Sequence, residues 1–151
     1  MARIPRSELP AFGVYHVTVR GVAKCDIFLD DDDRASFVRL MTKAVNTWRW
    51  RCHAYCLMRN HFHLIVETQL VRLSRGCHQL NGVHAQRFNR RHNRVGHLFQ
   101  DRFHARVIRD DEHLSDACAY VWNNPVRAGL CAEAHEWAWS GEISSRARVN
   151  R

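Results

Sequence analysis

The sequence predicts a single α+β domain, an antiparallel sheet with helices on one face and an added C-terminal helix that carries a tyrosine. Three observations predict it. Apolar residues make up 46% of the 151, enough for one core and too many for a disordered chain. The apolar period switches repeatedly between two and about 3.6 residues, so strands and helices interleave. Two strand-like segments, 53–58 and 61–68, are separated only by a tight turn, which favours antiparallel pairing.

Residues 1–12 read as an N-terminal arm holding Pro5 and Pro10. The segment from Gly13 to Gly21 alternates and is rich in β-branched residues, the pattern of a first strand. Asp30 to Asp33 supply a helix cap and complement its dipole. Phe37, Val38, Leu40, Met41, Ala44, Val45 and Trp48 then recur at helical spacing, predicting a helix over about 31–49. Two strands joined at Met58-Arg59-Asn60 follow. Leu73, Cys77, Leu80, Val83, Ala85 and Phe88 mark a second helix from Leu70 to about Arg91, although Gly76 and Gly82 weaken it. A basic loop, 90–96, leads to a fourth strand expected over 97–108. Asp110 and Asp111 cap a last helix whose stripe is Leu114, Ala117, Cys118, Val121 and Trp122, ended or kinked by Pro125. The order strand, helix, strand, strand, helix, strand, helix is that of a ferredoxin-like split βαβ arrangement with one helix appended. Residues 126–151 read as a tail, docked near its start by Trp137 and Trp139 and frayed over 141–151. The expected domain is therefore 1–151.

Charge narrows the function. There are 23 basic and 15 acidic residues, a formal net charge of +8, and only Lys24 and Lys43 are lysines. Arginine presents a planar fork suited to phosphate. Between Gln69 and Arg109 nine arginines face a single acid, Asp101, so a polyanion is the expected partner. No apolar run approaches the roughly 18 residues of a membrane span. No apolar stretch follows the basic start, so no secretory signal, no membrane partner and a cytoplasmic location are expected. The six scattered cysteines are expected as reduced thiols.

Two local patterns carry chemistry. His61-Phe62-His63 on a strand turns both imidazoles to one face and Phe62 to the other, so the histidines could share a divalent metal or could simply be surface residues. Tyr120 lies at the edge of the last helix's stripe, with Asn124 four residues on, Asp116 four back and His113 seven back. A tyrosine can be a nucleophile, and it can equally be a boundary residue with a wet hydroxyl. A competing set, Cys52, Cys56, His61 and His63, offers four zinc ligands, but without the gap of roughly a dozen residues usual between ligand pairs.

These blocks resemble a known family. The residues are Tyr15 to Gly21, Ile27-Phe28, Leu57 to Val66, Gly96 to Phe103, Tyr120 to Leu130, and Glu136 to Ser140. In that order, across 13–140, they are similar to the single-tyrosine transposases of the HUH nuclease superfamily, and more closely to the REP-associated tyrosine transposase branch. Arg59, where a proline is usual, and Trp122-Asn123, in place of an acidic-apolar pair, depart from the pattern.

The resemblance implies cleavage and rejoining of single-stranded DNA through a covalent 5′-phosphotyrosine, on hairpin or palindromic repeats. It implies Tyr120 as nucleophile, and His61, His63 and Asn124 as ligands of Mg²⁺ or Mn²⁺. Asp116, water or the metal would assist deprotonation. Arg87, Arg90, Arg91 and Arg94 would track the nucleic acid, with His16, Arg20 and Arg102 near the site; Phe99 or Trp122 could stack a base, although core packing is the expected role of both. A monomer or homodimer, nucleoid-associated when bound to DNA, is expected. The alternatives are an inactive binder of structured single-stranded DNA or RNA, and a zinc-stabilised small domain.

Overall fold

The computed structural model describes residues 5–144. Nine main elements follow one another: β1 (Phe12–Arg20), α1 (Asp31–Thr47), β2 (Arg51–Leu57), β3 (His61–Gln69), α2 (Leu70–Arg91), β4 (His104–Ile108), α3 (Asp111–Trp122), α4 (Asn124–Arg127) and β5 (Ser140–Ile143). The strands form one sheet in the order β4-β1-β3-β2-β5, every neighbouring pair antiparallel. The first four of these positions are the split βαβ order the sequence predicts.

Alternation along the strands divides the core into two layers. Tyr15, Val17 and Val19 of β1 and Phe62, Leu64 and Val66 of β3 face α1 and α2, where they meet Phe37, Met41, Leu73, Leu80 and Phe88. The opposite face of the sheet offers Ala54, Cys56, Ile65 and Ile108 to Ala117, Cys118 and Val121 of α3. The tyrosine-bearing helix thus lies across the sheet from α1 and α2. Asp30 and Asp110 cap α1 and α3, each accepting a hydrogen bond from the backbone N–H three residues on, at 3.0 and 2.8 Å.

Gly76 has a packing reason. A Cβ there would lie 2.3 Å from the Trp50 ring, so the glycine lets α2 settle directly onto that indole. Gly82 has no such neighbour within 4 Å.

The structure differs from expectation in four places. The fourth strand is only His104–Ile108. Residues 97–103 form a loop, pinned where Val22 N–H donates to Leu98 O and Gln100 N–H to Arg20 O. A shift in register between Cys52 and Ala54 sends Cys52 to the α1/α2 side and Cys56 to the α3 side, although alternation alone would place both on one face. The tail adds β5 to the edge of β2, so residues 141–143, expected to fray, are sheet. The indole N–H groups of Trp122, Trp137 and Trp139 fix it, donating to Gly141 O, Leu57 O and Asp31 Oδ1. Residues 145–151 lie outside the described residues. The arm, expected to be loose, is docked at its end, Leu9 being buried and Pro10 O accepting from the Tyr15 hydroxyl. All six cysteines are free thiols.

Candidate active site

The β2–β3 hairpin sets the two histidines. His61 and His63 occupy alternate positions of β3, paired with Arg20 and Thr18 of β1, so both rings rise on the α3 side. Phe62 between them is buried in the opposite layer. The ring centroids of His61 and His63 are 5.1 Å apart.

Hydrogen bonds assign the free nitrogens. His61 Nδ1 lies 2.7 Å from Asn60 Oδ1, an acceptor, so Nδ1 carries the proton and Nε2 keeps its lone pair. His63 Nδ1 is engaged by His16 Nε2 at 2.9 Å and by the Thr18 hydroxyl at 3.2 Å, which again leaves Nε2. Burial, aided by neighbouring cationic groups, lowers the pKa of His16 and His61 to about 4 and of His63 to about 3. All three imidazoles are therefore neutral near pH 7, the form that ligates a metal.

The last helix brings the other groups. The Tyr120 ring centroid is 6.2 Å from those of His63 and of His16, with its ring half exposed. Asn124 falls one residue beyond the break after α3, as the first residue of α4, with Pro125 behind it. The break does not carry it away, since Asn124 Nδ2 is 3.4 Å from His61 Nε2. His61, His63, Tyr120 and Asn124 come together, all from one chain.

A cleft of about 670 Å³ opens beside them, between the β1–β4 side of the sheet and α3. His16, Thr18, Arg20, Arg102, Asp116 and Tyr120 all line it. So does Arg106, which sequence reasoning missed. It pairs with His16 across β1 and β4, so its face could have been read from alternation had the start of β4 been known.

The other sequence candidates lie elsewhere. Arg87, Arg90, Arg91 and Arg94 do not line this cleft. Arg91 is committed to α1, its Nη1 lying 2.6 Å from both Asp30 Oδ1 and Asp33 Oδ1. Arg87 reaches Ser36, and Arg94 braces the loop through His97 O. Of the two stacking candidates, Phe99 lies against the α1/α2 core and Trp122 against the α3 layer. The zinc set does not converge, because the shift in β2 separates Cys52 from Cys56, and burial raises both thiols to about 12, against the thiolate zinc requires. Among the described residues, Glu133, His135 and Glu136 could also approach one ion. They are exposed, and Glu133 and Glu136 form the capping box of a short helical turn.

A sheet of this order, bearing two neutral histidines from one strand and a tyrosine from a helix across its face, defines a class. Residues 13–124 match the family model described as "Transposase IS200 like", and the chain belongs to that family of transposases. Within it, the chain is 25% identical over 138 residues to a putative REP-associated tyrosine transposase of Haemophilus influenzae, covering 76% of this chain and 75% of that one. Its fold is similar to a solved REP-associated tyrosine transposase bound to a REP hairpin, with a TM-score of 0.68 and 17% identity. That match covers 93% of this chain and 82% of the other.

Proposed function

We propose that the protein cuts and rejoins single-stranded DNA at hairpin-forming repeats, with Tyr120 as the nucleophile. The observation that carries this reading is the placement of Tyr120 at 6.2 Å from His63, at the mouth of a cationic cleft. In the reaction the Tyr120 Oη–phosphorus bond forms and the bond from phosphorus to the 3′-oxygen breaks. The products are a 5′-phosphotyrosine and a free 3′-hydroxyl. The phosphoester energy is retained, so the step can run backwards to rejoin strands.

The chain's own residues divide the work. Arg20, Arg102 and Arg106 line the cleft and neutralise backbone phosphates. Asp116, one turn before Tyr120 and facing the same cleft, is the carboxylate placed to accept the phenolic proton, directly or through water. His61 and His63, and the Asn124 carboxamide that meets His61 Nε2 at 3.4 Å, would fit a divalent cation. Mixed nitrogen and oxygen donors suit Mn²⁺ better than Mg²⁺, which prefers oxygen alone. When bound, the ion would offset charge on a non-bridging phosphate oxygen. That His61, His63, Tyr120 and Asn124 of one chain lie together supports a competent monomer. The REP hairpin held by the structural relative supports a hairpin substrate.

The test is a cleavage assay on 5′- and 3′-labelled hairpin oligonucleotides from repeats flanking the protein's own gene, with Mn²⁺ or Mg²⁺. A denaturant-resistant adduct on the 5′ side of the break, absent with EDTA and in Tyr120→Phe, is the expected result. Equal binding by both proteins with no adduct would make the chain an inactive binder.

A further inference from the structure

We propose that Arg127 is the positioning residue for Tyr120, a clamp that holds the phenol toward the histidine pair. The proposal rests on the reading of Tyr120 as nucleophile. Tyr120 is half exposed, and a ring so placed at a helix end would ordinarily sample several rotamers. Arg127 removes that freedom in two ways at once. Its guanidinium carbon lies 3.9 Å from the centroid of the Tyr120 ring, a stacked cation–π contact. Its Nη2 donates a 2.8 Å hydrogen bond to the Tyr120 carbonyl oxygen. The first contact fixes the ring, and the second fixes the backbone from which the ring projects.

The clamp has a rigid mount. Arg127 is the last residue of α4, which is four residues long and starts at Asn124. Pro125, buried, restricts the backbone at the front of this short helix. Behind it, Ala128 N–H donates to Asn124 O, Leu130 N–H donates to Pro125 O, and Gly129 takes φ 75°, a left-handed turn that favours glycine. One closed bracket thus presents Asn124 to His61 at its first position and Arg127 to Tyr120 at its last. The nucleophile and the candidate metal ligand are registered to each other through four residues rather than through the length of α3.

A phosphate-binding arginine is the rival explanation, and the two differ in what they move. A clamp acts on the rate of attack at saturating DNA, since misplacing a reacting group by about 1 Å costs up to roughly a hundredfold. A phosphate contact acts on affinity and its salt dependence.

The full-length protein with ¹³C-labelled tyrosine separates them. The Tyr120 ring signal is identified by its loss in Tyr120→Phe. In Arg127→Gln that signal should move toward the position of a free tyrosine, hairpin affinity should stay at the wild-type value, and single-turnover adduct formation should slow by roughly tenfold to a hundredfold. Arg127→Lys keeps the charge without the planar fork and should stay slow, and it supplies the same comparison should Arg127→Gln fail to fold. An unmoved ring signal, an unchanged adduct rate, full recovery by lysine, or a loss that tracks weaker, less salt-dependent binding would each overturn the clamp. If wild type forms no adduct, the ring signal still reports on the clamp, so failure of the nucleophile reading shows separately.

Discussion

The Nδ1 of His63 lies 2.9 Å from the Nε2 of His16, diagonally across the β1–β3 ladder. Thr18, the residue directly opposite His63, closes the same nitrogen at 3.2 Å. Two side chains of β1 thus engage the Nδ1 of one ring of β3, leaving Nε2 as the nitrogen without these partners. Groups that orient a ligand in this way typically contribute tenfold to a hundredfold in metal affinity. His16→Ala combined with Thr18→Val should weaken Mn²⁺ binding by about that factor, read by calorimetric titration, while far-UV circular dichroism stays unchanged.

The same burial gives stability a pH dependence. His16 and His61 titrate at about 4 and His63 at about 3 in the folded chain, against roughly 6.5 when unfolded. The unfolded state therefore binds protons first. The stability from keeping these rings neutral is full above roughly pH 6.5 and falls as the pH drops toward 4 and then 3. Urea midpoints should decline steadily from pH 7 to pH 4. Replacing His63 with glutamine should flatten that decline, and an unchanged slope would show that the ring is not buried neutral.

Arginines in and out of the cleft should separate in a salt titration. Arg106 lines the cleft, so Arg106→Ala should lower hairpin affinity and reduce the slope of log K against log salt by about one. Arg91 is tied to Asp30 and Asp33, so Arg91→Ala should leave that slope alone and lower the melting temperature instead. A reduced slope for Arg91→Ala would return the basic end of α2 to the interface.

Two glycines of one helix should respond with opposite sign. Gly82→Ala meets open space and should gain about 0.5–1 kcal/mol from helix propensity. Gly76→Ala drives a methyl against the Trp50 ring and should cost about 1–3 kcal/mol. Chemical denaturation of the two variants decides it.

Much of the site was legible because its residues obey local periods. His61 and His63 share a face through the two-residue period of a strand, and Tyr120 and Asn124 lie one helical turn apart. Arg127 sat in the resembling block from Tyr120 to Leu130 without a role, because a ring-face contact leaves no spacing signal. The remainder depended on non-local geometry. The register shift at Cys52 adds one residue to a ladder with no mark in composition. β5 exists through pairing with β2 and three indole hydrogen bonds from distant positions. Arg91 read as a phosphate contact because its acidic partners lie some sixty residues earlier in the chain.

The two layers of the core are unequal. Phe37, Met41, Leu73, Leu80 and Phe88 anchor α1 and α2 with large, buried side chains, whereas the buried side chains of α3 are only Ala117, Cys118 and Val121, with Leu114 and Trp122 partly buried beside them. Opening free energy scales with the apolar area a segment buries, so α3 belongs to the low-stability end of the molecule. Tyr120 rides on the part that opens first, while His61 and His63 sit on β3, an inner strand paired on both sides. Amide exchange should run faster along α3 than in β3, and Tyr120 would then move away from the histidines without the fold being undone.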